Sequence, residues 1–385
     1  MSAQTQSSPT DPREAAPMTS FVESCVETAI GRAVSVERRS RHRPRAKKLL
    51  NILKGKKNIL ITTHQQPDPD ALASSLALRI LLRAKLKDAK VSLSVKGNIG
   101  GGYNRAFAQQ LSGLELAPWD DASLSQYDAI ILLDVQPLMR SSPLPLNVQP
   151  TAVIDHHRSG RKRPNCPFCD VRPDVGATGS IVFSYFMELE VDITPELAAT
   201  LLFAIETDLA GAAGQPGDLD NMALSSLTLL ADNHLLYKMR YVDLPQSSYI
   251  AHAHGLANAV YYDNVMISHL DRMESPEAPA VIADFLLRFQ PVQWVLVTAV
   301  NGQSLAMSLR TSNNKGSAAD VMKKLLRNLG DGGGHRTKAG GSILMEGGSS
   351  AEVDRLREIL KRRLLRALNI KMSRGEQLVP LMPRK

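Results

Sequence analysis

The stretch NILITTHQQPDPDALASSLALRILLRAKLK, residues 58–87, passes from one periodicity to another. Asn58 opens a short run of apolar and β-branched residues without charge, the pattern of a buried strand. From Ala71 to about Lys87, Leu and Ala dominate and neither Gly nor Pro intervenes, which predicts a helix with Asp70 as its N-cap. Strand, turn and helix together begin a βα unit, and the alternation continues downstream. Strands are predicted at Lys90–Val95, at Tyr127–Asp134 (YDAIILLD) and at Ala152–Asp155, with helices at 176–190 and 194–206. This pattern predicts an α/β fold whose first domain holds a largely parallel sheet covered on both faces.

The rest of the chain reads differently. Residues 211–220 (GAAGQPGDLD) are a loop by composition, and helices dominate from there to about 260. A second alternation follows: a strand near 265–269, a helix at 277–289, and strands at 293–300 and 304–310. A helix at 317–328, a Gly-rich loop, a strand at 341–345 and a last helix at 350–369 complete it. A smaller, mixed α/β domain is therefore expected. The predicted boundaries are 1–57 for a disordered basic arm, with a short helix expected around Lys47 to Leu53, 58–215 for the first domain and 216–261 for a helical connection. The second domain takes 262–348, and a basic helix and tail take 349–385.

The net charge of +8 over 385 residues is unevenly placed. Residues 1–57 carry +7 and residues 355–385 carry +8, which leaves −7 for the body between them. A basic arm serves either phosphate affinity, here contact with longer RNA, or simple solubility. The acidic body needs its own explanation. Three cysteines (Cys25, Cys166, Cys169) are too few and too odd for a disulfide framework. The first twenty residues lack the apolar core of a secretory signal, and no 18-residue apolar run occurs. A cytoplasmic protein without membrane contact is the expectation.

Carboxylates and histidines collect at the ends of the predicted elements. His64, Asp68 and Asp70 follow the first strand, Asp134 ends another, Asp155-His156-His157 ends a third, and Glu206-Thr-Asp208 closes a helix. In open α/β sheets the ligand site lies beyond the carboxyl ends of the strands. Each cluster alone reads as turn chemistry or capping. Four together need cations to offset their mutual repulsion, which also accounts for the acidic body. Oxygen and imidazole donors without thiolate favour Mn²⁺ or Mg²⁺ over Zn²⁺ or Co²⁺. The donors suffice for two ions about 3.5–4 Å apart, the spacing used in phosphoester hydrolysis. Adjacent histidines diverge, so one of His156 and His157 suits a metal and the other a phosphate.

This order, H-x₃-D-x-D, a strand-ending D, D-H-H and a later D, resembles the DHH phosphoesterase superfamily. The run GGGHRTKAGG at 332–341 resembles the glycine-rich signature of the substrate domain found in one branch of these enzymes, and the likeness covers about residues 58–348. The resemblance implies two Mn²⁺ ions, with Mg²⁺ or Co²⁺ as substitutes. It implies that His64 and Asp68 hold the first, that Asp70, His156 and Asp208 hold the second, and that Asp134 bridges them. His157 then donates to the scissile phosphate or leaving oxygen, Asp155 orients a neighbouring histidine, and Ser74 supports the site locally. Arg310, Thr311, Gly333, Gly334 and His335 grip the substrate. Two departures are Val135-Gln136, where relatives carry a small hydroxyl residue, and Asp208-Leu-Ala-Gly211 in place of Asp-Thr-Gly.

The activity implied is hydrolysis of short RNA oligonucleotides or of 3′-phosphoadenosine 5′-phosphate, by a chain that a homodimer would also suit. A cyclic or linear dinucleotide phosphodiesterase is the rival of the same class. A polyphosphate or pyrophosphate hydrolase fits less well, because the glycine-rich His motif suits a nucleotide. A non-catalytic nucleic-acid binder on a decayed fold conflicts with the complete ligand set. Weaker signals have blander readings. The loop Gly97–Gly102 lacks the P-loop Lys and the dinucleotide spacing, and reads as a turn or lid. Cys166-Pro-Phe-Cys169 has no second pair and reads as part of a loop near the site. His252 and His254 face different ways on a helix and read as structural.

Overall fold

The computed structural model describes residues 44–100, 102–139, 141–157, 164–209, 216–273, 277–313, 315–334, 336–371 and 374–380. The expectations for residues 1–43, for Gly211 and for His335 lie outside these.

The first domain runs through α1 (Arg45–Leu53), β1 (Asn58–Thr63), α2 (Pro69–Lys85), β2 (Lys90–Ser94), α3 (Gly102–Gln110) and β3 (Leu116–Ala117). Strands β4 (Ala129–Leu133), β5 (Ala152–Asp155) and β6 (Phe168–Val171) follow. Helices α4 (Thr178–Leu189), α5 (Pro195–Leu209), α6 (Asp218–Leu230), α7 (Asn233–Arg240) and α8 (Gln246–Ala257) complete the series. The six strands are all parallel in the order β3-β2-β1-β4-β5-β6. The order reverses between β1 and β4, which opens a crevice at their carboxyl ends.

Alternate residues of each strand face opposite layers. Ile59, Ile61, Val91, Leu93, Ile131, Leu133 and Ile154 face the helices. Leu60, Ile130, Leu132 and Val153 face a second, smaller core closed by Leu124, Leu144, Trp119, Tyr127, Met139 and Val148. Both faces are covered as expected, but the second is covered by loops and a short 3₁₀ turn (Asp121–Gln126). The connection from β4 to β5 carries Pro137, Pro143, Pro145 and Pro150, and no regular helix tolerates that spacing.

Three expected boundaries move. Ala46, Leu49 and Leu53 of α1 are fully buried in the helical core, and the Glu188 carboxylate accepts the N–H groups of Arg45, Ala46 and Lys47 at 2.8–3.0 Å. Residues 45–57 thus belong to the first domain and not to a basic arm. Their five apolar residues, Ala46, Leu49, Leu50, Ile52 and Leu53, are interleaved with or followed by seven charged or polar ones. The second domain begins earlier and ends later than 262–348. It comprises β7 (Val260–Tyr262), β8 (Val265–Arg272), α9 (Ala278–Leu286), β9 (Trp294–Asn301), β10 (Ser304–Thr311) and α10 (Ala318–Leu326). Then come β11 (Asp331–Gly334), β12 (Lys338–Leu344), α11 (Ser350–Ala367) and β13 (Glu376–Gln377).

Its seven-stranded sheet has the order β11-β12-β10-β9-β8-β7-β13, with only β8 and β9 parallel. Helix α11 is part of this core through Val353, Leu356, Leu360 and Leu364. Some of its basic residues serve the fold: Arg363 donates to the Leu325 and Arg327 carbonyls at 2.6 and 2.8 Å, closing the end of α10. The Gly-rich loop expected at 332–334 is instead the edge strand β11, antiparallel to β12. A Cβ on Gly332 would come 2.7 Å from the Gly340 carbonyl oxygen, so only glycine allows this approach. Among the described residues, no helix is long and apolar enough to cross a membrane.

Candidate metal centre

The six residues expected to bind metal converge at the carboxyl ends of β1, β4 and β5 and at the last turn of α5. His64 leaves β1 and places Nε2 3.5 Å from Asp134 Oδ2 and 3.9 Å from Asp68 Oδ1. Asp68, and not Asp70, is the N-cap of α2: its Oδ1 accepts the Ala71 N–H at 3.0 Å. Pro69 takes the first helical position, which moves the helix start two residues ahead of expectation. Asp70 is thereby freed to reach across to the start of α4. Its two oxygens accept the N–H groups of Thr178 and Gly179 at 2.7 and 2.9 Å, where the helix dipole also favours a negative charge.

Asp134 sits just past β4 with φ +57°, a left-handed turn that Asp tolerates better than most residues. The turn brings its carboxylate among three imidazoles. Its Oδ1 lies 3.4 Å from His156 Nε2 and 3.7 Å from His157 Nδ1, and accepts the Thr178 hydroxyl at 2.8 Å. His156 Nε2 also lies 3.3 Å from Asp208 Oδ2. The two adjacent rings diverge as expected, meeting at 67° with centroids 4.4 Å apart, yet both reach the same carboxylate. Three sets of donor atoms lie within 4.8 Å of one another: His64, Asp68 and Asp134; Asp70, His156 and Asp208; and Asp134, His156 and His157. Asp134 belongs to two sets and His156 to two.

Supporting contacts add residues that sequence reasoning missed. Asp155, fully buried, bonds His157 Nδ1 at 2.7 Å, and Gln136 donates to its other oxygen at 2.6 Å and to the His157 carbonyl at 3.0 Å. One signal for Gln136 was its standing as a departure from the family pattern. Thr178 and Gly179 gave no signal beyond opening a helix. Ser74 donates to the Ala71 carbonyl of its own helix, so its support is to α2 and not to a ligand. Glu206 faces away, in an ion pair with Arg240. Cys169 lies within β6, and both it and Cys166 pack into the smaller core.

The electrostatics show a site short of positive charge. Burial raises the Asp70 carboxyl, and the charges of Asp134, Asp208 and Asp68 push it further, well above the usual carboxylate range. Burial opposes charge on His64, but its bonds to Asp134 and Asp68 overcome that and hold it well above an ordinary imidazole. For His157, burial is outweighed by the Asp155 bond and by Asp134, and its pKa rises to about 9. Protons are thus held where a cation would sit. This donor set of carboxylates and imidazoles fits a divalent ion, which would take over the role of those protons.

From the second domain, Arg310 donates to Asp284 Oδ1 at 2.6 Å and to Ser308 Oγ at 2.8 Å. Lys338, at the start of β12, donates to the Asp208 carboxylate. Gly333 has open space where a Cβ would be. Thr311 corrects the expectation of a substrate contact: it is fully buried and its hydroxyl is bonded to the Gln293 carbonyl at 2.8 Å. It fixes the end of β10 and offers nothing to a ligand.

Comparison with known proteins bears on both domains. Residues 58–205 match the family described as DHH family, N-terminal domain. An uncharacterized protein of Methanocaldococcus jannaschii is 28% identical over 320 residues, covering 81% of this chain and 64% of that protein. A probable manganese-dependent inorganic pyrophosphatase of Streptococcus mutans is 29% identical over 151 residues, 39% of this chain and 47% of that protein. The chain therefore spans less than two thirds of either relative. The crystal structure of an exopolyphosphatase-related protein from Bacteroides fragilis superposes with a TM-score of 0.64 at 19% identity, covering 84% of this chain and 97% of that one. The fold is shared across both domains.

Proposed function

From the match of residues 58–205 to the DHH family N-terminal domain, we propose that the chain is a metal-dependent phosphoester hydrolase. Its substrates on this reading are short RNA oligonucleotides or 3′-phosphoadenosine 5′-phosphate. The observation that carries it is the sharing of Asp134 between donor sets, with Asp208 of the second set bonded to Lys338 of the second domain. His64, Asp68 and Asp134 would hold one divalent ion, and Asp70, His156 and Asp208 the other, with Mn²⁺ favoured. Bound there, the ions would neutralise charge developing on the phosphate and lower the pKa of an attacking water.

The chain's own residues do the rest. Thr178 fixes the rotamer of Asp134, and the start of α4 fixes Asp70, so the donors are held before any ligand arrives. His157 is the proton donor to the leaving oxygen. Asp155, itself held by Gln136, orients its ring and keeps it charged, ready to donate at neutral pH. Arg310 offers a guanidinium for bidentate phosphate binding, and Gly333 leaves room for a ligand beside β11.

The test is turnover by the purified chain with and without MnCl₂. The panel comprises RNAs of about 2 to 24 nucleotides, 3′-phosphoadenosine 5′-phosphate, cyclic di-AMP and pyrophosphate. Release of mononucleotides from the shortest RNAs, or of phosphate from 3′-phosphoadenosine 5′-phosphate, supports the reading. Hydrolysis of pyrophosphate alone would replace it with the activity named for the streptococcal relative.

A further inference from the structure

Lys338 is a cation whose position the expected site did not include. It opens β12 and stands opposite Arg310 of β10 in the antiparallel register, so the two side chains leave the same face of the sheet. That face is the one on which Arg310 meets Asp284 of α9. The Lys338 ammonium crosses to the first domain, where it donates to the Asp208 carboxylate and, at 3.2 Å, to the Asp208 main-chain oxygen. The other carboxylate oxygen of Asp208 faces His156 Nε2 at 3.3 Å. One aspartate thus joins the donor sets of the first domain to a basic residue of the second.

An ammonium has three donors. Two of them are used on Asp208, and among the described residues the third has no partner. The Lys338 side chain remains about a third exposed (31%), whereas Asp208 is 9% exposed. Arg310 is bonded through Nε and Nη1, which leaves its Nη2 edge without a partner among the described residues. The geometry has the parts of an anion site: two adjacent cations, each tied on one side by an aspartate and open on the other.

We propose that Lys338 binds a non-bridging oxygen of the substrate phosphate, together with Arg310, and that Asp208 positions the ammonium for this. The assignment rests on the phosphoesterase reading above and adds a specificity residue to it. A lysine suits this place because its point charge can turn between Asp208 and a phosphate without the fixed fork of an arginine. It also makes the phosphate grip depend on the two domains being engaged, since the residue comes from one and its anchor from the other.

The experiment is calorimetric titration of the full chain with adenosine 5′-monophosphate and with inorganic phosphate, each with and without MnCl₂. The variants are Lys338→Met and Lys338→Arg, and Mn²⁺ binding is measured on both. Loss of one charge-assisted hydrogen bond predicts that Lys338→Met binds both ligands about tenfold or more weakly. Its Mn²⁺ affinity should be undiminished, and Lys338→Arg should recover most of the ligand affinity. Unchanged binding of both ligands by Lys338→Met overturns the proposal and leaves Lys338 as a pin between domains. A parallel loss of Mn²⁺ affinity also overturns it, because the effect would then run through Asp208. Failure of the unaltered chain to take up Mn²⁺ sinks the metal reading alone, since the metal-free titrations still report on Lys338.

Discussion

Replacing Asp134 separates charge from backbone at the centre of the site. The residue is buried, has φ +57°, and lies within 3.4–3.7 Å of three imidazoles. Asp134→Asn keeps the shape and the left-handed turn, which Asn tolerates, but removes the negative charge. Asp134→Ala removes the charge and also adds a left-handed penalty of about 1 kcal/mol. If Asp134 serves both ions, neither variant should be stabilised by Mn²⁺. For the unaltered chain, Mn²⁺ at about 100 times its Kd contributes roughly 2.7 kcal/mol of stability. A domain of this size turns that into a rise in Tm of roughly 5–10 °C. The assay is scanning calorimetry with and without MnCl₂. Both variants should show no Mn²⁺-dependent rise, and the alanine variant should melt roughly 2–4 °C below the asparagine variant without metal. A full Mn²⁺ shift in Asp134→Asn would refute the bridging role. Equal metal-free melting of the two variants would refute the backbone argument.

Other outcomes follow from single contacts. Arg310→Ala should raise KM and leave the Mn²⁺-dependent rise in Tm intact, whereas His157→Ala should lower kcat, read from steady-state kinetics on a dinucleotide. Leu49→Ala should cost about 3 kcal/mol in urea denaturation, and removal of residues 1–57 should destabilise the first domain, because α1 is part of its core. A truncation at 57 with unaltered stability would return these residues to a tail. His269 supplies an acid sensitivity: burial and the charges of Arg357 and Lys361 lower its pKa to about 4. The unfolded chain takes up this proton near pH 6.5 and the folded chain does not, so stability falls as pH drops from about 6.5 to about 4. The loss is at most about 3 kcal/mol, and His269→Gln should lose correspondingly less between pH 7 and pH 4.5 in denaturant titrations.

The strand-end residues were legible because strand ends are legible. YDAIILLD and TAVIDHH carry both the apolar run and the polar stop, and the sheet then brings the stops together. The short helix around Lys47–Leu53 was legible but its burial in the first domain was not, since its five apolar residues stand within a run rich in Lys and Arg. The misplaced N-cap shows a different limit: Asp68 and Asp70 both suit the start of α2, and only the partner of Asp70 on α4 distinguishes them. Gln136, Thr178 and Lys338 touch the site from distant parts of the chain, through contacts of 19 to 130 residues separation that no local pattern encodes. Thr311 was misread for the opposite reason, as its strand-end position resembles that of Asp134 while its hydroxyl points into the fold.

The fastening of Asp70 to two amides of α4 has a kinetic consequence. A carboxylate already clamped to a helix start needs no chain rearrangement when an ion arrives, so uptake is limited by dehydration of the ion and by departure of the proton held on His64. Stopped-flow mixing with Mn²⁺ should then give a single phase without a lag, an unchanged far-ultraviolet spectrum, and acidification of a weakly buffered solution.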